Sequence, residues 1–285
     1  FVPCTADNAE NSSVKSTAAY NGAAIELRGV WQRYERDLPD VLRGCTLSVP
    51  SGIHYCLLGG NGPGKTKRLS VIAGLEKPYR GKVIVAGKPL KAYHGNTLYR
   101  GNLALLPQNP QTVFLRDTVR ADFFEILGQL EIPSAERNRK ISDISARIGI
   151  ESLLDRHPYD LSGGEQQKCA IAKLLLLEPR ILLLDEPTKG LDAGAKHVLS
   201  DILRSLLADG MTVLTVTHDV EFAAENADIC ALFFDGEIIS EDTPERFFAD
   251  NSFYTTAANR MARGLWRYAV TTAQVTDRCE REASS

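Results

Sequence analysis

The run Gly59-Gly60-Asn61-Gly62-Pro63-Gly64-Lys65-Thr66 reads G-G-N-G-P-G-K-T. It fits the pattern G-x-x-x-x-G-K-[ST], a loop whose backbone N–H groups cradle phosphate oxygens. Just upstream, residues 53–58 form an apolar run short enough for a buried strand. Just downstream, Leu69, Ile72, Ala73 and Leu75 recur at helical spacing. Strand, Gly-rich turn and helix is the context the pattern requires. The glycines let successive N–H groups curl toward one point, and the helix start adds its positive end. Lys65 is then placed to reach the β- and γ-phosphates of a nucleoside triphosphate, and the Thr66 hydroxyl to ligate Mg²⁺. The plainer alternative is a Gly-rich turn between strand and helix. Two positions are unusual: Pro63 has no N–H to contribute, and Lys67 stands where many such loops carry a second hydroxyl.

Working outward, the chain has 285 residues, 44% hydrophobic and 24% charged, enough apolar material for a sizeable core. Its net charge of −3, from 33 basic and 36 acidic residues, makes no global electrostatic case for a nucleic-acid partner. No apolar run approaches the roughly 18 residues of a membrane span, so membrane association is expected only through a partner. The six cysteines form no C-x-x-C pair or Cys/His cluster of metal-ligand spacing, and a reducing cytoplasm is the simplest setting. Residues 1–23 are rich in Ser, Ala, Asn and Thr and begin at Phe1 rather than Met. They read as a flexible leader or inter-domain linker, as if the chain were the trailing part of something longer.

Along the chain, strands are expected over 25–30, 41–49 (broken at Gly44), 53–58, 82–86 and 103–106. The pattern then changes. Asp117 is a candidate helix cap before Phe123, Phe124, Ile126 and Leu127. Pro133-Ser134 opens a helix with Ile141, Ile144 and Ile148 on one face and Gly149 at its end. Residues 112–178 therefore read as a mostly helical insertion, followed by strand 181–184, a helix over 192–208, and strands at 212–217, 229–234 and 237–240. Alternating strands and helices predict an α/β sheet with buried parallel strands.

Two further constellations carry chemistry. In Ile181-Leu182-Leu183-Leu184-Asp185-Glu186-Pro187, two carboxylates emerge from the C-terminal end of a buried strand. Asp185 is placed to hold Mg²⁺, and Glu186 could polarise a water attacking the γ-phosphate. Alone, the pair could be a surface turn. In Leu161-Ser162-Gly163-Gly164-Glu165-Gln166-Gln167, exposed N–H groups precede a helix expected over 166–177. That is a second anion-binding helix start, or simply a Ser N-cap.

These motifs, with Gly190-Leu191-Asp192 and Thr217-His218-Asp219, resemble in order and spacing the nucleotide-binding domain of an ABC-type ATPase over about residues 25–240. Leu106-Pro107-Gln108-Asn109-Pro110, Asp117-Thr118-Val119 and the stretch from Phe253 to Met261 more narrowly resemble the ATPase subunits of energy-coupling factor transporters, importers of vitamins and metal ions. They also resemble the second half of tandem ATPases in that group. The resemblance implies an α/β fold: a P-loop NTPase core with an antiparallel β subdomain and a helical subdomain at about 112–178. It places the ATPase domain at 24–262, with residues 263–285 as a C-terminal tail.

The resemblance also implies roles. Gln108 would contact Mg²⁺ and sense the γ-phosphate. Tyr34 would stack on adenine, with Trp31 as its competitor. His218 would hydrogen-bond the γ-phosphate. Ser162, Gly163, Gly164 and Glu165 would cap ATP held by a second ABC ATPase domain, with Asp192 near that dimer interface. The helical insertion would dock a transmembrane coupling subunit, itself paired with a substrate-binding membrane subunit, on the cytoplasmic face of the cell membrane. Val113, Phe114 and Leu115 are expected in that docking groove. Pro63, Lys67 and Lys168, where the family more often has Arg, keep open a nucleotide-binding module with little hydrolysis. A soluble non-transport ABC protein would need heptads or a charged linker, which the sequence lacks.

Overall fold

The computed structural model describes residues 22–35, 37–59, 69–251 and 254–284. The leader up to residue 21, the loop residues 60–68 and Phe253 lie outside them. Two sheets face each other. The first is antiparallel, built from β1 (Ala23–Arg33), β2 (Asp40–Pro50), β4 (Arg80–Val85) and β5 (Lys88–Pro89) in the order β2-β1-β4-β5. The second has six strands: β3 (His54–Gly59), β6 (Leu103–Leu106), β7 (Ile181–Asp185), β8 (Thr212–Val216), β9 (Ile229–Phe234) and β10 (Glu237–Asp242). Their order is β10-β9-β3-β8-β7-β6, parallel throughout except for β10.

The apolar strand runs have the burial that two covered faces require. Along β7, Ile181 and Leu183 point into the core between the sheets, with Leu27, Val30, Leu57 and Val216. Leu182 and Leu184 point the other way, into a core shared with the helices. Those helices are α1 (Val119–Gln129), α2 (Ser134–Ile148), α3 (Gly163–Leu175) and α4 (Ala193–Ala208). The expected face of α2 packs inward through Ile141 and Ile148, and Gly149 ends the helix in the left-handed region at φ 71°. A third cluster joins Cys56 and Leu58 to α5 (Val220–Asn226) and α6 (Pro244–Asp250). Two more helices come after these, α7 (Ala257–Ala262) and α8 (Thr272–Ala283). The stretch read as a tail thus contains a helix, and Ala269 and Val270 before it are buried.

Several local expectations are corrected. Thr118, not Asp117, caps α1, its hydroxyl accepting from the Ala121 N–H at 3.1 Å. β2 is not broken at Gly44. That residue takes φ 67°, and the strand continues through irregular pairing with its backbone against the Trp31 indole. α3 begins at Gly163 rather than Gln166 because Ser162 and Glu165 form a reciprocal capping box. Phe114 is buried, at 5% exposure. It belongs to the helical core, so of the expected docking trio only Leu115, at 74%, is strongly exposed.

His54 shows how polar groups enter this core. Its Nδ1 lies 2.8 Å from the Asn226 carbonyl and its Nε2 2.8 Å from Thr215 Oγ1, in full burial. Desolvation pushes the imidazole down to about 4, outweighing the opposing Asn226 hydrogen bond and Asp228 charge. The folded state therefore keeps His54 neutral, while the unfolded chain protonates it below about pH 6.5. Its contribution to stability is present above that pH and is lost as pH falls from 6.5 toward 4, about 3 kcal/mol in all. Urea unfolding of wild type and His54→Gln across this range should show that much of the pH dependence missing from the variant. Parallel curves would contradict a neutral His54.

Candidate functional site

Four parallel strands bring their C-terminal ends to one edge of the second sheet, in the spatial order β3, β8, β7, β6. Neighbouring strands lie about 4.8 Å apart, so residues leaving these ends fall within roughly 15 Å of one another. Gly59 leaves β3, Asp185 and Glu186 leave β7, His218 comes after β8, and Gln108 after β6. Ligands bind at this edge in open parallel sheets. At Gly59 a Cβ would lie 2.5 Å from the Phe233 carbonyl oxygen, so the strand can enter the loop here only without a side chain. Gly60, Asn61, Gly62, Pro63, Gly64, Lys65, Thr66 and Lys67 lie outside the described residues.

Asp185 is 2% exposed at the end of β7. Glu186 turns the chain at φ 47°, a left-handed conformation that costs a non-glycine residue about 1–2 kcal/mol. Its N–H still bonds the Val216 carbonyl at 2.8 Å, extending the β7–β8 ladder by one step. Its Oε2 accepts from the His218 backbone N–H at 3.1 Å and lies 2.7 Å from His218 Nδ1. The Glu186 side chain is 8% exposed and His218 56%. A buried carboxylate is thus oriented by an imidazole that is itself open to a ligand.

Tyr34 lies 43% exposed in the bend after β1. Trp31 instead packs over Gly44, with the Arg80 guanidinium 6.0 Å from its ring centroid. Gln108 is exposed between β6 and the short 3₁₀ turn Pro110–Val113. Ser162 and Gly163 are exposed at the start of α3. Glu165 Oε2 accepts from the Ser162 hydroxyl at 2.7 Å and the Ser162 N–H at 2.8 Å. Those two bonds hold its carboxyl below the usual range. Gly164 allows close approach to α4, since a Cβ there would lie 3.0 Å from the Ala195 Cβ. A cavity of about 210 Å³ separates this start from Leu191, Asp192 and Val198. Asp192 caps α4, its Oδ1 accepting from the Ala195 N–H at 2.7 Å. The structure therefore gathers Gly59, Asp185, Glu186, His218 and Gln108 at one sheet edge. The Ser162–Glu165 turn lies beside Asp192, across that cavity.

Asp219 entered the sequence reading only as the end of Thr217-His218-Asp219, without a role of its own, and Lys196 did not enter it at all. Asp219 had a local signal, an Asp before the short apolar helix α5. Lys196 had none, because its partner is 23 residues away. Among the described residues no group of three or more His, Cys, Asp or Glu could hold a metal ion alone. The available donors, the Asp185 carboxylate and the Gln108 amide, are hard oxygens of the kind that share Mg²⁺ with substrate phosphates.

A family model described as ABC transporter matches residues 42–189. A putative ABC transporter ATP-binding protein of Bacillus anthracis is 38% identical over 251 residues, which is 88% of this chain and 45% of that protein. The chain spans less than half the length of that relative. The energy-coupling factor transporter ATP-binding protein EcfA of Methanocaldococcus jannaschii is 33% identical over 241 residues, covering 84% of this chain and 86% of the relative. The solved structure of cbiO1 from Clostridium perfringens, described as part of the ABC transporter complex cbiONQ, superposes with a TM-score of 0.75 at 25% identity. It covers 86% of this chain and 96% of its own. With the strand-end carboxylates, the His218 contact and the two-sheet architecture in place, the chain belongs to the ABC transporter ATP-binding family, with relatives among the ATP-binding proteins of energy-coupling factor transporters.

Proposed function

We propose that this chain is the ATP-hydrolysing module of an energy-coupling factor-like importer of a vitamin or metal ion. One observation carries the hydrolytic part: Glu186, buried at the sheet edge, is held by both the backbone N–H and the imidazole of His218. In this reading residues 24–262 form the ATPase domain, with 112–178 as its helical subdomain. The loop Gly59–Lys67 cradles the phosphates and Lys65 neutralises their charge. Thr66, Asp185 and Gln108 would hold Mg²⁺, which when bound neutralises charge on the β- and γ-phosphates. Glu186 takes a proton from the attacking water. His218 hydrogen-bonds the γ-phosphate. Tyr34 stacks on adenine.

The turn Ser162–Glu165, exposed at Ser162 and Gly163, suits the nucleotide of a second ATPase domain, with Asp192 beside it. ATP then joins two domains head to tail. Because the γ-phosphate makes the contact that differs between states, its loss releases them. Among the described residues no helix is long and apolar enough to cross a membrane. By its similarity to energy-coupling factor ATP-binding proteins, the chain works in this reading as a peripheral subunit on the cytoplasmic face.

The test is phosphate release from Mg²⁺–ATP by the full-length protein in its membrane assembly, beside Glu186→Gln. Equal and negligible release from both would leave a nucleotide-binding module without hydrolysis. The docking surface has its own test. Leu115 is exposed while Phe114 is core, so Leu115→Asp should keep the wild-type thermal midpoint yet lose co-purification with the membrane subunits. Intact assembly would remove Leu115 from the docking surface.

A further inference from the structure

Asp219 does more than start a helix. Its Oδ1 accepts from the Phe222 N–H at 3.1 Å, the ordinary work of an N-cap. An exposed cap would leave the second oxygen to water. Here Oδ2 is 2.5 Å from Lys196 Nζ, reaching across from α4. The Asp219 N–H also donates to Thr217 Oγ1 at 3.0 Å. Burial pushes the carboxyl upward, but Lys196 and the Phe222 N–H hold it below the usual range. It stays ionised at neutral pH.

Two elements are therefore pinned at one carboxylate: the first turns of α4 and the start of α5. His218 lies immediately before Asp219, and its N–H and Nδ1 hold Glu186. On the far side, the Lys196 N–H bonds the Asp192 carbonyl at 3.0 Å. Lys196 thus sits one helical turn from the exposed edge at Asp192, beside the cavity that faces Ser162. Lys196 therefore links that edge to Asp219, the residue next to His218.

We propose that Lys196, through its ion pair with Asp219, is a positioning residue for the Glu186–His218 pair and makes their alignment depend on where the start of α4 lies. This rests on the hydrolytic reading above. A charge partner reaching 23 residues along the chain is not needed to cap a seven-residue helix; Asp219 Oδ1 already does that. The pair is partly open to solvent, at 37% for Lys196 and 14% for Asp219, so its bare contribution to stability is small. Its geometric effect is what the reaction would register, since a displacement of about 1 Å near reacting groups can cost about 100-fold in rate.

The experiment compares Lys196→Met, Lys196→Arg and Glu186→Gln in the full-length protein by phosphate release over a range of Mg²⁺–ATP. Lys196→Met is expected to lower the saturated rate about tenfold or more while half-saturating ATP stays within about twofold, the signature of an interaction made in the transition state. Lys196→Arg, which keeps the charge, should restore most of the rate. A wild-type saturated rate in Lys196→Met, a loss that Arg does not restore, or a matching rise in half-saturating ATP would each overturn the proposal. If Glu186→Gln is inactive while Lys196→Met is normal, the positioning role alone fails. If Glu186→Gln turns over at the wild-type rate, the hydrolytic reading falls and the positioning role with it.

Discussion

Glu186→Gln is expected to lower phosphate release by about 10²–10⁴-fold, the range for loss of a positioned general base, while ATP binding persists. Gln matches Glu in shape, and its amide oxygen can still accept from the His218 N–H that Glu186 Oε2 now engages at 3.1 Å. The left-handed backbone at Glu186 and its bond to the Val216 carbonyl do not involve the side chain. The variant therefore keeps the architecture and loses the proton acceptor. Under the reading that hydrolysis releases the dimer, it should also accumulate as an ATP-bound dimer, visible by size-exclusion chromatography. A Glu186→Gln protein that hydrolyses within about tenfold of wild type would assign the base elsewhere.

Asp122→Ala carries the largest expected effect on stability. Asp122 on α1 is 1% exposed and Lys173 on α3 9%, with Nζ 2.8 Å from Oδ2. Lys173 Nζ also donates to the Val113 carbonyl, and Asp122 Oδ1 accepts from the Leu115 N–H at 3.1 Å. One ion pair therefore ties two helices to the segment just beyond Gln108. Removing the carboxylate strands a buried ammonium and an N–H, at a cost of about 3–5 kcal/mol. In a chain of this size that lowers the melting temperature by roughly 6–20 °C. Adding Lys173→Met to Asp122→Leu should recover much of the loss, because an apolar pair needs no partner for a buried charge. Thermal unfolding by circular dichroism checks both; a loss below about 1 kcal/mol for Asp122→Ala would show that water reaches Lys173.

Both variants probe residues that were legible to different degrees. Glu186 was legible because local chemistry surrounds it: four apolar residues make a strand, two carboxylates end it, and Pro187 keeps the chain from extending the ladder further. Asp122 was not, since an Asp inside an apolar helix reads as a solvated face until Lys173 is found 51 residues away. Phe114 misled for the same reason. Beside Leu115 it looked like part of an exposed apolar patch, yet the turn through Pro110–Val113 points it into the helical core, where the Lys173 ammonium lies 5.9 Å from its ring centroid.

The sequence by itself determined the strand that ends at Gly59, the acidic end of β7, the helices between β6 and β7 and the α/β class. Each depends on apolar periodicity and turn chemistry acting over a few residues. Only the tertiary structure decided that β3, β8, β7 and β6 lie side by side, so that Gly59, His218, Glu186 and Gln108 share one edge. It also decided that His54 stays neutral in the core, that Lys196 reaches Asp219, and that the last residues form a helix. Strand order, desolvation and ion pairing are set by which distant surfaces meet, and spacing along the chain does not carry that information.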